Sequence, residues 1–280
     1  LTYHSANGRL MCHYCGHSQS APERCPVCGG PMKSIGTGTQ KVQEELEFLF
    51  PDMPTSRMDA DTVSAVNTHE KILDTFQQEK IPVLIGTQMV AKGLDFENVT
   101  LVGVLNADKE LYNDDFQSME RTFDLITQVV GRAGRGRWSG KAGIQTMNPG
   151  NEVIRFAREQ DYESFYSYEI GVRRAMVYPP FCTLVSVGFR GAKQDRVEQA
   201  AAAFLDLLKE RLGDANDIRL IALGPMPERV VRVGGTYRYR VLIKCRFQAP
   251  FRKLLSELLR DFGRTSDATS ITTVVDVENG

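Results

Sequence analysis

Apolar positions divide the chain into stretches of different texture. Up to about Ser34 no period holds and Gly, Pro, Cys and His dominate, which predicts a small loop-built module held by something other than a core. From Gly36 a helical spacing takes over, with Val42, Glu45-Leu46 and Leu49 recurring on one face and Ile72-Leu73 with Phe76 on another. The apolar runs Val83-Leu84-Ile85 and Val99 to Leu105 predict fully buried strands. A helix from Phe116 to about Ala133 and a strand near Ile144-Gln145-Thr146 continue the alternation. That order builds a parallel sheet covered on both faces, with ligand loops at the strand ends.

A tyrosine-rich helical stretch from Glu152 to Arg174 runs into Tyr178-Pro179-Pro180, where two prolines stop a helix and stiffen a connector. A second domain is expected beyond it. Its pattern reads strand (Thr183 to Phe189), helix (Val197, Ala201, Phe204, Leu208, Leu212), two strands, helix (Leu254-Leu255, Leu258-Leu259) and strand (Ile271 to Val277). This is the element order of an α+β, ferredoxin-like split β-α-β domain. No internal repeat or low-complexity tract interrupts it.

A length of 280 residues allows two or three units with real cores. No apolar run is long enough to span a bilayer, and Leu1-Thr2-Tyr3-His4 lacks the layout of a signal peptide, so a cytoplasmic protein with no membrane partner is expected. The net charge of −1 means that any nucleic-acid binding must come from a local patch.

Of six cysteines, four fall in Cys12-His-Tyr-Cys15 and Cys25-Pro-Val-Cys28, each pair followed by Gly. Such turns present two thiolates to one tetrahedral metal, so Cys12, Cys15, Cys25 and Cys28 are the expected Zn2+ ligands. A redox dithiol is the alternative reading; two such turns in succession outside a β-α-β context favour metal. His13 and His17 are substitute ligands or, in the plainer reading, exposed polar residues of the knuckle. Cys182 and Cys245 stand alone in apolar stretches and are expected to be buried small hydrophobes.

Ile85 to Phe96 closes a buried strand, a place where backbone amides and hydroxyls meet phosphates. Gln128-Val129-Val130-Gly131-Arg132-Ala133-Gly134-Arg135 ends a helix with two arginines about one turn apart. A planar guanidinium suits the spread charge of a transferring phosphoryl group. The plainer reading is a basic helix end favoured by the helix dipole.

Together, Gly36-Thr37-Gly38-Thr39, Arg57 to Thr62, Gly86 to Phe96, Val102 to Asp108 and Gln128 to Arg137 resemble, in order and spacing, the second lobe of the primosomal replication-restart helicase family, a branch of superfamily 2. The likeness continues through Gln145-Thr146, Tyr178-Pro179-Pro180, Gly224-Pro225 and Asp276-Val277. It implies a RecA-like lobe over residues 35–150 after a partial zinc module over 1–34, a helical connector over 151–180, and a DNA- or partner-binding domain over 181–280. It also implies an enzyme that hydrolyses ATP with Mg2+, moves 3′ to 5′ on single-stranded DNA and rebuilds abandoned forks with other primosome proteins. Gln128, Arg132 and Arg135 would face the ATP phosphates, with Arg135 favoured as the finger. Gly93 and Asp95 would couple nucleotide to DNA, and Thr37, Thr87 and Gln88 would lie near the DNA backbone.

The departures from the family matter too. No Gly-x-x-x-x-Gly-Lys-Ser/Thr loop and no Asp-Glu-x-His box is present; in the family both belong to the first lobe, so this chain is not expected to cleave ATP alone. The family carries four cysteine pairs whose zinc sites are shared between early and late pairs, which leaves open whether the two pairs here hold one ion or none. Val130, Glu97 and Asn113 differ from the usual residues with little expected consequence.

Between Arg229 and Lys253 lie eight basic residues and no carboxylate. Gly234-Gly235 is a two-residue hairpin signal, and along the next strand Arg238, Arg240, Lys244 and Arg246 alternate with Tyr237, Tyr239, Val241, Ile243 and Cys245. A regular hairpin register adds Arg229 to the cationic face. Such a strip suits DNA phosphates, with aromatics nearby for stacking; the plainer reading is a solvated face paired with carboxylates elsewhere. Likeness to the family points to forked DNA or to the acidic tail of single-stranded DNA-binding protein, with Arg246, Arg252 and Lys253 set aside for the latter.

Overall fold

The structure is a computed structural model that describes residues 2–4, 9–11, 18–24, 28–31, 38–58, 68–87, 99–113, 115–131, 140–213 and 218–278. Two compact units emerge: one gathers residues 24–111 and 117–165, the other residues 1–23, 112–116 and 166–280. Among the described residues no helix is long and apolar enough to cross a membrane.

The first unit contains two parallel strand pairs. β4 (Thr55–Met58) pairs with β5 (Val83–Gly86), and β6 (Leu101–Val104) pairs with β7 (Lys141–Ile144). Helices α1 (Thr39–Leu49) and α2 (Thr68–Gln78) join the first pair, and α3 (Asp108–Leu111) and α4 (Ser118–Val130) the second. β7 stops at Ile144 and does not reach Thr146 as its β-branched side chain suggests. Gln145 and Thr146 instead bind the loop after β6.

The expected helical stretch from Glu152 to Arg174 is made of two helices, α5 (Glu152–Glu159) and α6 (Tyr162–Met176). Gln160 adopts a left-handed conformation between them, and the Ser164 amide donates to Asp161 Oδ1 at 3.0 Å, which starts the second helix. This stretch is no mere connector. Val153, Ile154, Phe156, Ala157 and Phe165 pack with Phe123 and Ile126 in one buried cluster, with Phe123 stacked on Phe165 at 4.1 Å between ring centroids.

The second unit contains two sheets. Three short antiparallel strands, β1 (Thr2–His4), β2 (Arg9–Met11) and β3 (Ser18–Ser20), give the opening stretch more regular structure than its composition predicts. The main sheet is antiparallel in the order β11-β8-β10-β9, built from β8 (Thr183–Gly191), β9 (Leu220–Val233), β10 (Thr236–Cys245) and β11 (Thr272–Glu278). With α7 (Gln194–Gly213) after β8 and α8 (Ala249–Phe262) after β10, the expected split β-α-β order is realised.

Alternation decides what each sheet face does. Val185, Val187 and Phe189 of β8 and Tyr239, Val241, Ile243 and Cys245 of β10 meet Phe204 and Leu208 of α7 and Phe251 and Phe262 of α8. The opposite face carries a smaller cluster of Tyr178, Leu184, Met226 and Leu242, with Phe116 stacked on Tyr178 at 5.5 Å. Beside that cluster Arg173 forms a buried ion pair with Glu169 at 2.8 Å, and its guanidinium lies 5.2 Å from the Phe116 ring.

Candidate nucleotide and nucleic-acid sites

Parallel strands end where ligands bind, and the carboxyl ends of β5, β6 and β7 carry the polar residues of the first unit. Thr87 follows β5 directly and is exposed. After β6 the chain turns at Asn106, which takes a left-handed conformation. Its amide donates to Gln145 Oε1 at 3.1 Å, and the Ala107 amide donates to the Gln145 carbonyl at 3.0 Å. Asp108 then accepts from the Thr146 hydroxyl at 3.0 Å and from the Met147 amide at 2.8 Å. A carboxylate with two donors is a strong fixed point, so Asp108 sets the relation of the β6 and β7 loops. Sequence patterning gave no role to Asp108; a polar Asn-Ala-Asp run directly after a buried strand is the signal that could have found it.

Helix α4 carries the expected phosphate-facing segment. Phe123, Ile126 and Val129 are buried at helical spacing, and this anchors the helix into the unit core. Gln128 lies exposed on the outer side, in line with Glu120 and Asp124 at four-residue steps. Partial burial, and then the Glu120 carboxylate one turn away, raise the Asp124 carboxyl above its ordinary value. Gly131 caps the helix with its amide donating to the Thr127 carbonyl at 2.9 Å. Arg132 and Arg135 lie outside the described residues, as do Gly93, Asp95, Thr37 and Gln88. Of the predicted nucleotide and DNA set in this unit, Gln128 and Thr87 are the described members.

Cys28 is exposed, while Cys12, Cys15 and Cys25 lie outside the described residues. Arg24 and Pro31, on either side of Cys28 in sequence, form an antiparallel bridge, and Gly29 follows Cys28 with φ +70°. Arg24 also donates to the Gly29 carbonyl at 3.3 Å. Among the described residues no group of three or more His, Cys, Asp or Glu side chains could hold a metal.

The cationic strip on β10 is real in part, and two of its expected members are displaced. Arg238 and Arg240 lie on the face opposite the two helices, half-buried, across from Arg190 and Gly188 of β8. Arg190 was not anticipated. Lys244 is on the same face but only 6% exposed, and its ammonium donates to the Met176 carbonyl at 2.7 Å over the Tyr178 ring, 3.7 Å from the centroid. Burial lowers its pKa. It locks the end of α6 to the sheet and offers nothing to a phosphate, which corrects its assignment to DNA.

Arg229 is also misplaced by regular pairing. The register between β9 and β10 shifts between Tyr237, paired with Arg232, and Tyr239, paired with Pro227. Met226, not Arg229, therefore stands opposite Arg240. Pro225 and Pro227 sit in an edge strand where a missing ladder donor is tolerated, and Gly224 takes φ +122° with the Arg240 carbonyl 2.9 Å from where a Cβ would stand. Beyond β10, Arg246, Arg252 and Lys253 are all exposed. Arg246 lines an open cavity of about 520 Å³ with Phe181, Phe247 and Gln248 at the start of α8.

Comparison with known proteins gives this arrangement its class. Residues 35–137 match the helicase conserved C-terminal domain, and residues 174–278 match the primosomal protein N C-terminal domain. Over 278 residues the chain is 40% identical to the replication restart protein PriA of Bacillus subtilis (strain 168), covering 99% of this chain and 34% of that protein. The PriA proteins of Synechocystis sp. and Chlamydia pneumoniae are each 39% identical, covering 87% and 92% of this chain and 30% and 34% of theirs. The chain is thus similar along most of its length to replication restart proteins, and it spans about a third of the length of these relatives.

Proposed function

We propose that this chain forms part of an ATP-dependent 3′–5′ DNA helicase that acts in the cytoplasm on stalled or abandoned replication forks and starts primosome assembly. The observation that carries this reading is the match, in order and along 99% of the chain, to a replication restart protein. In that role Gln128, Arg132 and Arg135 complete an ATP–Mg2+ site whose phosphate loop belongs to another lobe, Arg135 stabilising charge on the transferring phosphoryl group. Gly93 and Asp95 relay nucleotide state, and Thr37, Thr87 and Gln88 hold the DNA backbone. The rigid seating of α4 supports this, since a finger must be held in place to act.

Arg238 and Arg240 extend the DNA surface to the C-terminal unit. The test is salt-dependent binding of the chain to a labelled fork, wild type against Arg238→Ala/Arg240→Ala. Weaker binding with a shallower salt slope is expected; equal binding moves the DNA site to the helicase lobe. Zn2+ on Cys12, Cys15, Cys25 and Cys28 is part of the proposal, supported by the paired Cys-x-x-Cys spacing and by the bridge between Arg24 and Pro31 on either side of Cys28. Zinc content measured on Cys12→Ser is expected to fall, and unchanged content ends the assignment.

A second reading concerns the start of α8. Its N-cap Gln248 makes no side-chain cap bond, and its first two turns carry Arg252 and Lys253 with no carboxylate. Cations at a helix N-terminus are unfavourable without an anion. With Arg246 and the open cavity beside them, these residues suit an acidic peptide terminus such as the tail of single-stranded DNA-binding protein. As an isolated chain the protein would then serve as a binding module for DNA and that partner, without ATPase activity.

A further inference from the structure

We propose that Thr272, Arg190 and Arg238 form a phosphate-binding row on the face of the C-terminal sheet opposite α7 and α8, a site for a nucleic-acid backbone. The register sets the three side by side: Thr272 pairs with Arg190, and Arg190 pairs with Arg238. They share the face away from the helices because the alternate positions, among them Val187, Phe189, Tyr239 and Val241, fill the helix side.

Directly opposed side chains on adjacent strands start only about 5 Å apart, and like charges there repel. Arg190 and Arg238 face each other in this way, both half-buried, and the Nε atom of each is enclosed with no hydrogen-bond partner among the described residues. Enclosed donors on two adjoining cations are incomplete without an acceptor. An anion between them supplies the acceptor and cancels the repulsion.

The neighbouring row limits where that anion sits. Arg240 stands opposite Gly188, and the Glu228 carboxylate lies over that glycine, with Oε1 3.2 Å from where a Cβ would be. Its charge makes that row the less favourable of the two for an anion, so the phosphate is centred on the Thr272 row with Arg240 at its margin. Two forked guanidiniums and an exposed hydroxyl, which can also donate, form a strip of hydrogen-bond donors across three strands. A phosphodiester matches it, with two non-bridging oxygens bound regardless of sequence.

The inference rests on the reading that the C-terminal unit touches DNA, and the test separates the two. Binding of the 280-residue chain to labelled forked DNA is measured against salt for wild type, Arg190→Gln, Arg190→Lys and Thr272→Val, with thermal unfolding followed for each. Arg190→Gln is expected to bind about tenfold more weakly, with the salt slope reduced by about one. Arg190→Lys should weaken binding but keep the slope, because the charge stays while the fork is lost. Thr272→Val, at an exposed edge, should weaken binding slightly at full thermal stability, and with Arg190→Lys it decides the matter if Arg190→Gln unfolds. If wild type binds DNA and these variants match it in affinity and slope, the row is overturned and the DNA reading stands. If wild type binds no DNA, both fall. Loss of binding to a polyglutamate peptide with DNA binding intact would make the row a carboxylate site and overturn the proposal.

Discussion

The two units hold their charged residues in different ways. In the first, polar groups stand at strand ends and on the outer side of a helix: Thr87 after β5, Asp108 after β6, and Gln128 on α4. Their surroundings are packed, but they themselves face outward. In the second, cations sit inside strands, where alternation puts them on one face and packing then sorts them. Lys244 is buried under Tyr178, while Arg238, six residues earlier on the same face, is half-open. Strand-end residues can be read as functional from position alone, whereas cations within strands can be sorted only by what covers them.

The largest expected effect falls on the residues proposed for the nucleotide site. In the full-length protein, Arg135→Ala should lower DNA-stimulated ATP hydrolysis by about 10³-fold or more with fork binding retained; steady-state turnover and fork binding on one preparation check this. Loss of binding instead would place Arg135 on the DNA surface.

Next come the supports. Phe123→Ala removes the ring stacked on Phe165 and should destabilise the first unit by about 3–5 kcal/mol, read by denaturant unfolding. Asp108→Ala, which strands the Thr146 hydroxyl and the Met147 amide, should cost about 1–3 kcal/mol by the same measurement. A neutral result for Asp108→Ala would remove its role in holding the strand ends.

Lys244 sharpens the contrast within the second unit. Lys244→Ala should destabilise by about 2 kcal/mol with the salt slope of DNA binding unchanged, since the ammonium is bound to Met176 and not exposed. Its pH dependence has a definite sign. Burial puts the folded pKa below the ordinary 10.5, so the cost of the buried charge is present below the folded value. Stability therefore rises as pH climbs from that value toward 10.5, and Lys244→Met should abolish this rise.

The smallest effect is chemical. Burial first, and the neighbouring Cys182 second, push the Cys245 thiol up to about 11 from an ordinary 9.0. It should resist alkylation in the native chain at pH 8, while exposed Cys28 reacts unless a metal protects it. Folding stability from Cys245 is whole below 9.0 and declines as pH rises through about 11. Prompt labelling of Cys245 at pH 8 would contradict its burial.

Local patterns carried much of this architecture. The hairpin at Gly234-Gly235, the alternation along β10 and the helical spacing of Phe123 and Ile126 all have short-range causes, and all appear where expected. Long-range partners did not show. Lys244 is buried because a carbonyl 68 residues away accepts its proton donor, and Thr146 leaves its strand because Asp108, 38 residues earlier, takes its hydroxyl. Two misses had readable signals. Pro225 and Pro227 cannot donate to a ladder, a readable sign that β9 is an edge strand with irregular pairing, where a register shift that displaces Arg229 is tolerated. Asp161 is a natural helix start, and it divides the tyrosine-rich stretch. At the candidate sites, sequence likeness assigned the motif residues; Asp108 and Arg190 emerged only once the strands were paired.

The most direct test is to incubate the 280-residue chain with ATP, Mg2+ and forked DNA, and to measure turnover and DNA binding on the same sample. A chain that supplies the finger side of a divided nucleotide site should bind the fork, with affinity falling steeply as salt rises, and show no DNA-stimulated hydrolysis. Turnover that DNA stimulates and that Arg135→Ala removes would show a complete nucleotide site within these residues and contradict the account.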